Sequence, residues 1–204
     1  MPDAVSDVAF VGLARGAVAD PDALRRGWDD WQARATARSS GWLGSTAGIA
    51  PSGRWAAALR YSSEEAARAA RDDVASVLPG AAAVELTGDV QVVEGNGAPA
   101  AGRFVQVMRA RVVDRRRFED VEAAIGGRFA ELRPDFLTGI RALTAPDRLT
   151  VVDWFTSEAE ARAGEAAGVP PELGALFGDW MSLLHDVEWD DLVEPWQEHP
   201  AEAR

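Results

Sequence analysis

The sequence predicts an α+β fold of two β-α-β-β-α-β repeats packed sheet-to-sheet, and three observations carry that expectation. The stretch "RYSSEEAARA" at 60–69 returns as "WFTSEAEARA" at 154–163, 94 positions later. The same offset lays the chain over itself without a gap from Phe10 to about Ala70, with 13 identities in 61 positions. So long a gapless match at one offset reads as an internal repeat. Each half also orders its elements alike: strand, helix, two strands about a turn, helix, strand. That order is the ferredoxin-like split βαβ unit. A single such sheet has helices on one face only, and a second sheet on the bare face encloses a barrel-like core.

The elements follow in order. Residues 8–18 and 103–113 are rich in Val and Phe and predict strands. Asp20-Pro21 opens a helix, Asp capping free N–H groups and Pro fitting the first turn. That helix places Leu24, Trp31 and Ala35 on one side. Its partner from Asp114 spaces Phe118, Val121, Ile125, Phe129 and Leu132 at helical intervals. Strands at 42–49 and 54–61, and again at 136–143 and 148–155, flank the turns "APSGR" and "TAPDR". Ser62 and Thr156 are the expected caps of the next helix, with Glu65 completing a capping box. "AVELTGDVQVVE" (83–94) closes the first repeat, and "DVEWDDLVE" closes the second after an extra helix over 172–185. The expected domains are therefore 8–94 and 103–196, joined by a Gly/Ala/Pro-rich linker at 95–102.

Composition narrows the function. Of 204 residues, 47% are hydrophobic, enough for a real core. The net charge is −12, every one of the 21 cationic side chains is Arg, and Cys is absent. So acidic a surface repels phosphate backbones and anionic lipid, so neither nucleic acid nor membrane is an expected partner. No apolar run nears the roughly 20 residues that span a bilayer. No export signal is visible either, and a cytoplasmic monomer or homodimer is the expectation. Without Lys or Cys there is no Schiff base, lysine base or thiolate nucleophile. G-x-S-x-G and G-x-G-x-x-G sites are missing too. The tail "HDVEWDDLVEPWQEH" matches no compact metal-ligand spacing, so no metal and no cofactor are expected.

The tandem strand-plus-"SEEAAR" units resemble the antibiotic biosynthesis monooxygenase domain of the dimeric α+β barrel superfamily, over residues 8–196. The whole chain resembles a two-domain version found among actinobacterial proteins. The resemblance implies a pseudo-dimeric α+β barrel. It also implies kinship with cofactor-free monooxygenases that oxidise anthrones and other electron-rich phenols of polyketide pathways. Haem-degrading enzymes and muconolactone-type isomerases share the superfamily. The haem-degrading relatives use Asn, Trp and His where this chain has Ala14, Met108, Ala70 and Gly164, so no haem site is implied.

Strand alternation sorts candidate site residues into two faces. Val11, Leu13, Val105 and Val107 are expected to pack on helices. That leaves Gly12 and Ala14 opposite Gln106 and Met108, a small face matched with a larger polar one that leaves room for a ligand. Arg60 points the same way as its repeat partner Trp154, and Asp153 stands where the first repeat has Leu59. A carboxylate beside an apolar cavity holds its proton more tightly and suits proton abstraction from a phenol, and an Arg steadies the anion formed. The expected catalytic pair is Asp153 and Arg60, with Gln106, Met108, Trp154, Ala14 and Gly12 lining the substrate site. Trp28 is expected to be half exposed. The partner is a small, apolar, polyketide-like aromatic molecule. Three readings stay open: a cofactor-independent monooxygenase, a non-catalytic binding protein, and an isomerase or cyclase that uses no oxygen.

Overall fold

The computed structural model describes residues 7–38, 41–77, 84–144 and 146–200. The expected strand start Ala83 and turn residue Ala145, and the side chain of Ala35, lie outside the described residues. The chain divides into two compact units. Unit 1 takes the residues up to Val90 and those from Asp190 on, and unit 2 runs from Gln91 to Trp189.

Unit 1 contains β1 (Phe10–Ala17), α1 (Pro21–Arg38), β2 (Trp42–Ile49), β3 (Arg54–Tyr61), α2 (Glu64–Val77) and β4 (Glu85–Thr87). Unit 2 is built from β5 (Val90–Glu94, after its first residue), β6 (Phe104–Val112), α3 (Arg115–Leu132), β7 (Phe136–Thr144), β8 (Arg148–Phe155), α4 (Glu158–Ala167), α5 (Pro171–Ser182) and β9 (Leu184–Val193) as far as Trp189. A last strand, β10 (Trp196–Glu198), joins the first sheet. The sheet orders are β10-β2-β3-β1-β4 and β5-β7-β8-β6-β9. Each unit is a ferredoxin-like α+β layer with one extra edge strand.

The two sheets share their register. Phe10 faces Tyr61 as Phe104 faces Phe155, and Ile49 faces Trp55 as Leu143 faces Leu149, each pair displaced by 94. Even the irregularity repeats, between Trp42 and Gly44 in β2 and between Phe136 and Thr138 in β7. A bulge leaves one residue unpaired and bends the strand. Here it falls on Leu43 and Leu137, identical in both repeats.

Local chemistry fixes the helix starts. Asp20 and Asp114 accept from Ala23 N (2.9 Å) and Arg117 N (3.1 Å), as capping demands. The caps of α2 and α4 fall one residue later than expected. Ser63 Oγ accepts from Ala66 N and Ser157 Oγ from Glu160 N. Ser62 instead donates to the Gly41 carbonyl. The segment expected as one strand over 83–94 is broken at Gly88-Asp89, where Thr87 Oγ1 accepts from Asp89 N. A Cβ at Gly88 would lie 2.6 Å from the Phe10 ring, so the turn needs glycine. After it, β5 enters the second sheet, not the first.

The face assignment is the main correction. Ala14 packs with Trp28, Trp31 and Ala67 in the core under α1 and α2, and Met108 with Phe118, Val121 and Ile125 of α3. The helices thus cover the face of Gly12, Ala14, Gln106 and Met108, while Val11, Leu13, Val105 and Val107 take the other. Both sets are buried at Val11, Leu13, Ala14, Val105, Val107 and Met108. With two dry faces, alternation of polarity cannot say which one meets the helices. Trp28 is also fully buried, not half exposed, and its ring centroid lies 5.1 Å from that of Trp31.

Gly44 anchors the edge of the first sheet. Its φ is +133°, and an added Cβ would collide with the Arg60 guanidinium and sit 2.9 Å from the Glu198 carbonyl of β10. Gly44→Ala is expected to cost about 2 kcal/mol or more, combining backbone strain with loss of β10 docking. Urea unfolding checks this, and an unchanged midpoint would contradict the anchoring role.

Candidate functional site

The polar interior of unit 2 is built from three elements. α3 supplies Glu122 from within its apolar stripe, four residues after Phe118. β7 supplies Arg141 and β8 supplies Asp153, both on the helix-covered face. Arg141 Nε donates to Glu122 Oε1 at 2.5 Å, and Nη1 donates to Asp153 Oδ1 at 2.5 Å. The indole N–H of Trp180 donates to Glu122 Oε2. Trp180 comes from α5, a helix with no counterpart among the described residues of unit 1, and packs on Phe118 and Phe177. Arg117 and Asp179 pin the same helix pair at the surface, at 3.0 Å. Gly139 makes the arrangement possible. A Cβ there would collide with Asp153 Oδ1 and lie 2.8 Å from Arg141 Nη1.

The side chains of Glu122 and Arg141 are 3% and 8% exposed, and that of Asp153 is 13% exposed, the most accessible of the three. Burial disfavours the Arg141 cation, but Asp153 and Glu122 outweigh it and hold its pKa above the ordinary guanidinium value. Burial pushes the Asp153 carboxyl up, against the pull of Arg141, with Glu122 adding to the rise. One guanidinium here serves two carboxylates.

The same register positions in unit 1 are apolar. Subtracting 94 turns Glu122, Arg141 and Asp153 into Trp28, Ala47 and Leu59, all buried in the unit 1 core. The fold therefore does not need the charges.

The expected site residues are dispersed by this geometry. Asp153 pairs with Arg141, not with Arg60. Arg60 is buried on the helix-free face of unit 1, where Nη2 donates to His199 Nδ1 at 3.1 Å. An arginine cannot accept, so this bond takes the neutral imidazole protonated on Nε2. Gln106 donates to Glu165 of α4 at 2.8 Å, in an exposed setting. Met108 fills core under α3, and Ala14 does so under α1. Gly12 is closed in by Leu86, Leu59 and Val84, whose atoms lie 3.3–3.5 Å from where a Cβ would stand. Trp154 is fully buried on the helix-free face of the second sheet, against Gly102. Burial also drives the Tyr61 phenol well above its usual range, so it keeps its proton.

Glu122, Arg141 and Trp180 were the residues missed. For Glu122 and Arg141 the signal was in the repeat alignment, where with Asp153 they turn an apolar triplet into a charged one; Trp180 lies beyond the aligned span and had no such signal.

No protein-family model matches the chain, and no curated protein matches it in sequence. Solved structures do resemble it. A candidate monooxygenase from Fusobacterium nucleatum is similar at TM-score 0.70 and 11% identity, over 94% of each chain. A candidate monooxygenase from Lactobacillus acidophilus gives 0.67 and 10%, over 94% of this chain and 96% of the other. An anthrone oxidase-like protein gives 0.65 and 11%, over 96% and 94%. At such identity the likeness establishes the fold alone.

Two outcomes follow from the cluster. Arg141→Ala should cost about 3–5 kcal/mol, because it strands two buried carboxylates, whereas joint replacement by Glu122→Met, Arg141→Met and Asp153→Leu should cost less. Urea unfolding at neutral pH checks the order, and a triple variant weaker than the single one contradicts it. The second concerns pH. The folded-state pKa of Asp153 lies above its unfolded value, so its contribution is fully present below the unfolded value and is lost as pH rises through the folded one. Wild type should therefore lose stability relative to Asp153→Asn as pH climbs from the ordinary Asp range towards neutral; a constant difference would contradict the raised value.

Proposed function

We propose that the protein binds a small, largely apolar aromatic molecule through unit 2, as a cofactor-independent monooxygenase acting on an electron-rich phenol or anthrone. One observation carries the reading. The Glu122–Arg141–Asp153 cluster occupies a core position that unit 1 fills with Trp28, Ala47 and Leu59. Buried ion pairs are commonly matched or bettered in stability by apolar residues, so a cluster kept in one unit alone points to chemistry. The anthrone oxidase-like and monooxygenase neighbours share the fold and make this reaction class the natural one to test.

Asp153 is the base in this scheme, its raised pKa bringing it closer to that of its substrate. It takes the proton of a phenol or of the acidic C–H of an anthrone. Arg141 steadies the resulting anion, and Glu122 with Trp180 holds Arg141 in place. The electron-rich anion then reduces O₂. Where the substrate is an anthrone methylene, one oxygen atom ends in the new carbonyl and the other leaves as water with the two methylene hydrogens. Arg60 belongs to unit 1 and takes no part. The 94-residue offset we read as duplication of a half-length ancestor, with the site kept on one side only.

A non-catalytic binding role is the second reading, favoured by the fact that both carboxylates are already engaged with Arg141. Oxygen uptake with a reduced anthrone separates the two. Uptake by wild type that falls on the order of 10²-fold in Asp153→Asn is the expected result. Ligand binding without uptake favours the second reading, and uptake indifferent to Asp153 removes it as the base. Calorimetric titration with a non-oxidisable aromatic should give one ligand per chain.

A further inference from the structure

Resting on unit 2 as the ligand-binding unit, we infer that Arg141 and Asp153 together read a neutral ligand group presenting a hydrogen-bond acceptor beside a donor, and that they reject carboxylates. The groups that fit are a primary carboxamide or a hydroxyl next to a carbonyl.

Both Glu122 oxygens are engaged, Oε1 by Arg141 and Oε2 by Trp180. Arg141 uses Nε and Nη1. Its Nη2 makes no hydrogen bond among the described residues. Asp153 uses Oδ1 alone, and Oδ2 has no partner among the described residues. The guanidinium is a rigid planar fork, so Nη2 sits beside the nitrogen that already holds Asp153. A donor and an acceptor are therefore left unspent on two side chains in direct contact. Neither atom is sealed from solvent, so a ligand can reach both.

Charge selects further. Two carboxylates around one guanidinium leave the cluster no net positive charge to offer while either both are ionised or one is protonated. A ligand carboxylate would be the third carboxyl group around one guanidinium, and Arg141 has no partner to give up without stranding Glu122 or Asp153. A neutral amide meets both free atoms at once. Its carbonyl accepts from Nη2, and its N–H donates to Oδ2. Asp153 is the most accessible member of the cluster, with 13% of its side chain exposed.

The test uses three isosteric probes that undergo no oxidation: 2-naphthamide, methyl 2-naphthoate and 2-naphthoate. Dissociation constants for the full-length protein are measured by calorimetry at neutral pH. The amide should bind at least about tenfold tighter than either other probe, a difference of roughly 1.4 kcal/mol. In Asp153→Asn, whose side chain can itself donate, that preference should fall to within about threefold, with the circular dichroism spectrum unchanged. Naphthoate binding as tightly as the amide overturns the inference, as does a preference that survives Asp153→Asn. Failure of all three to bind overturns it too. Because no probe is oxidised, the selectivity can hold even if anthrone oxidation fails, and the two proposals fall separately.

Discussion

One guanidinium shared by two carboxylates organises the interior of unit 2. A cation as buried as Arg141 persists only if its desolvation is offset by good geometry and by further hydrogen bonds. Here Glu122 approaches from the helix layer and Asp153 from the neighbouring strand. Gly139 gives up a side chain so that the pair can lie against the sheet. The Trp180 indole spends its N–H on the outer Glu122 oxygen, which ties the inserted helix α5 to the same group. Removing any one of these leaves a charged or polar atom in a dry layer.

The first unit solves the same packing problem without charge. With the same strand order, the same register and the same bulge, it places Trp28, Ala47 and Leu59 where unit 2 has its ions. The comparison within one chain separates what the fold requires from what was added to it. The cluster offers a rigid donor and acceptor, and its rim carboxyl holds its proton more tightly than usual. Those are the properties that a preorganised site supplies and a hydrophobic core cannot.

Much of the architecture was legible in the sequence. The offset of 94 gave the strands flanking each central turn almost to their ends, because each repeat constrains its partner, and Asp20 and Asp114 marked the helix starts through simple capping chemistry. The extra helix was also visible before β9. Face assignment failed for a physical reason. Val11 and Ala14 are both buried, so no polar face was left to mark an outside. The site inherited that error. Gly12, Ala14, Gln106 and Met108 were placed around a cavity and instead meet the helix layer. Asp153 was singled out as a break in the repeat, but its partners were not, because Glu122 hides in an otherwise amphipathic helix and Arg141 in an otherwise apolar strand. Reading the three replacements as one event would have joined them.

The central claim is that the Arg141–Asp153 pair is a ligand-reading site and not a structural brace. A crystal structure of the protein soaked with 2-naphthamide tests it most directly. The account expects the amide oxygen within about 3 Å of Arg141 Nη2 and the amide nitrogen within about 3 Å of Asp153 Oδ2, with the Glu122 contacts intact. An amide bound elsewhere, with the cluster undisturbed and both atoms still empty, would contradict it.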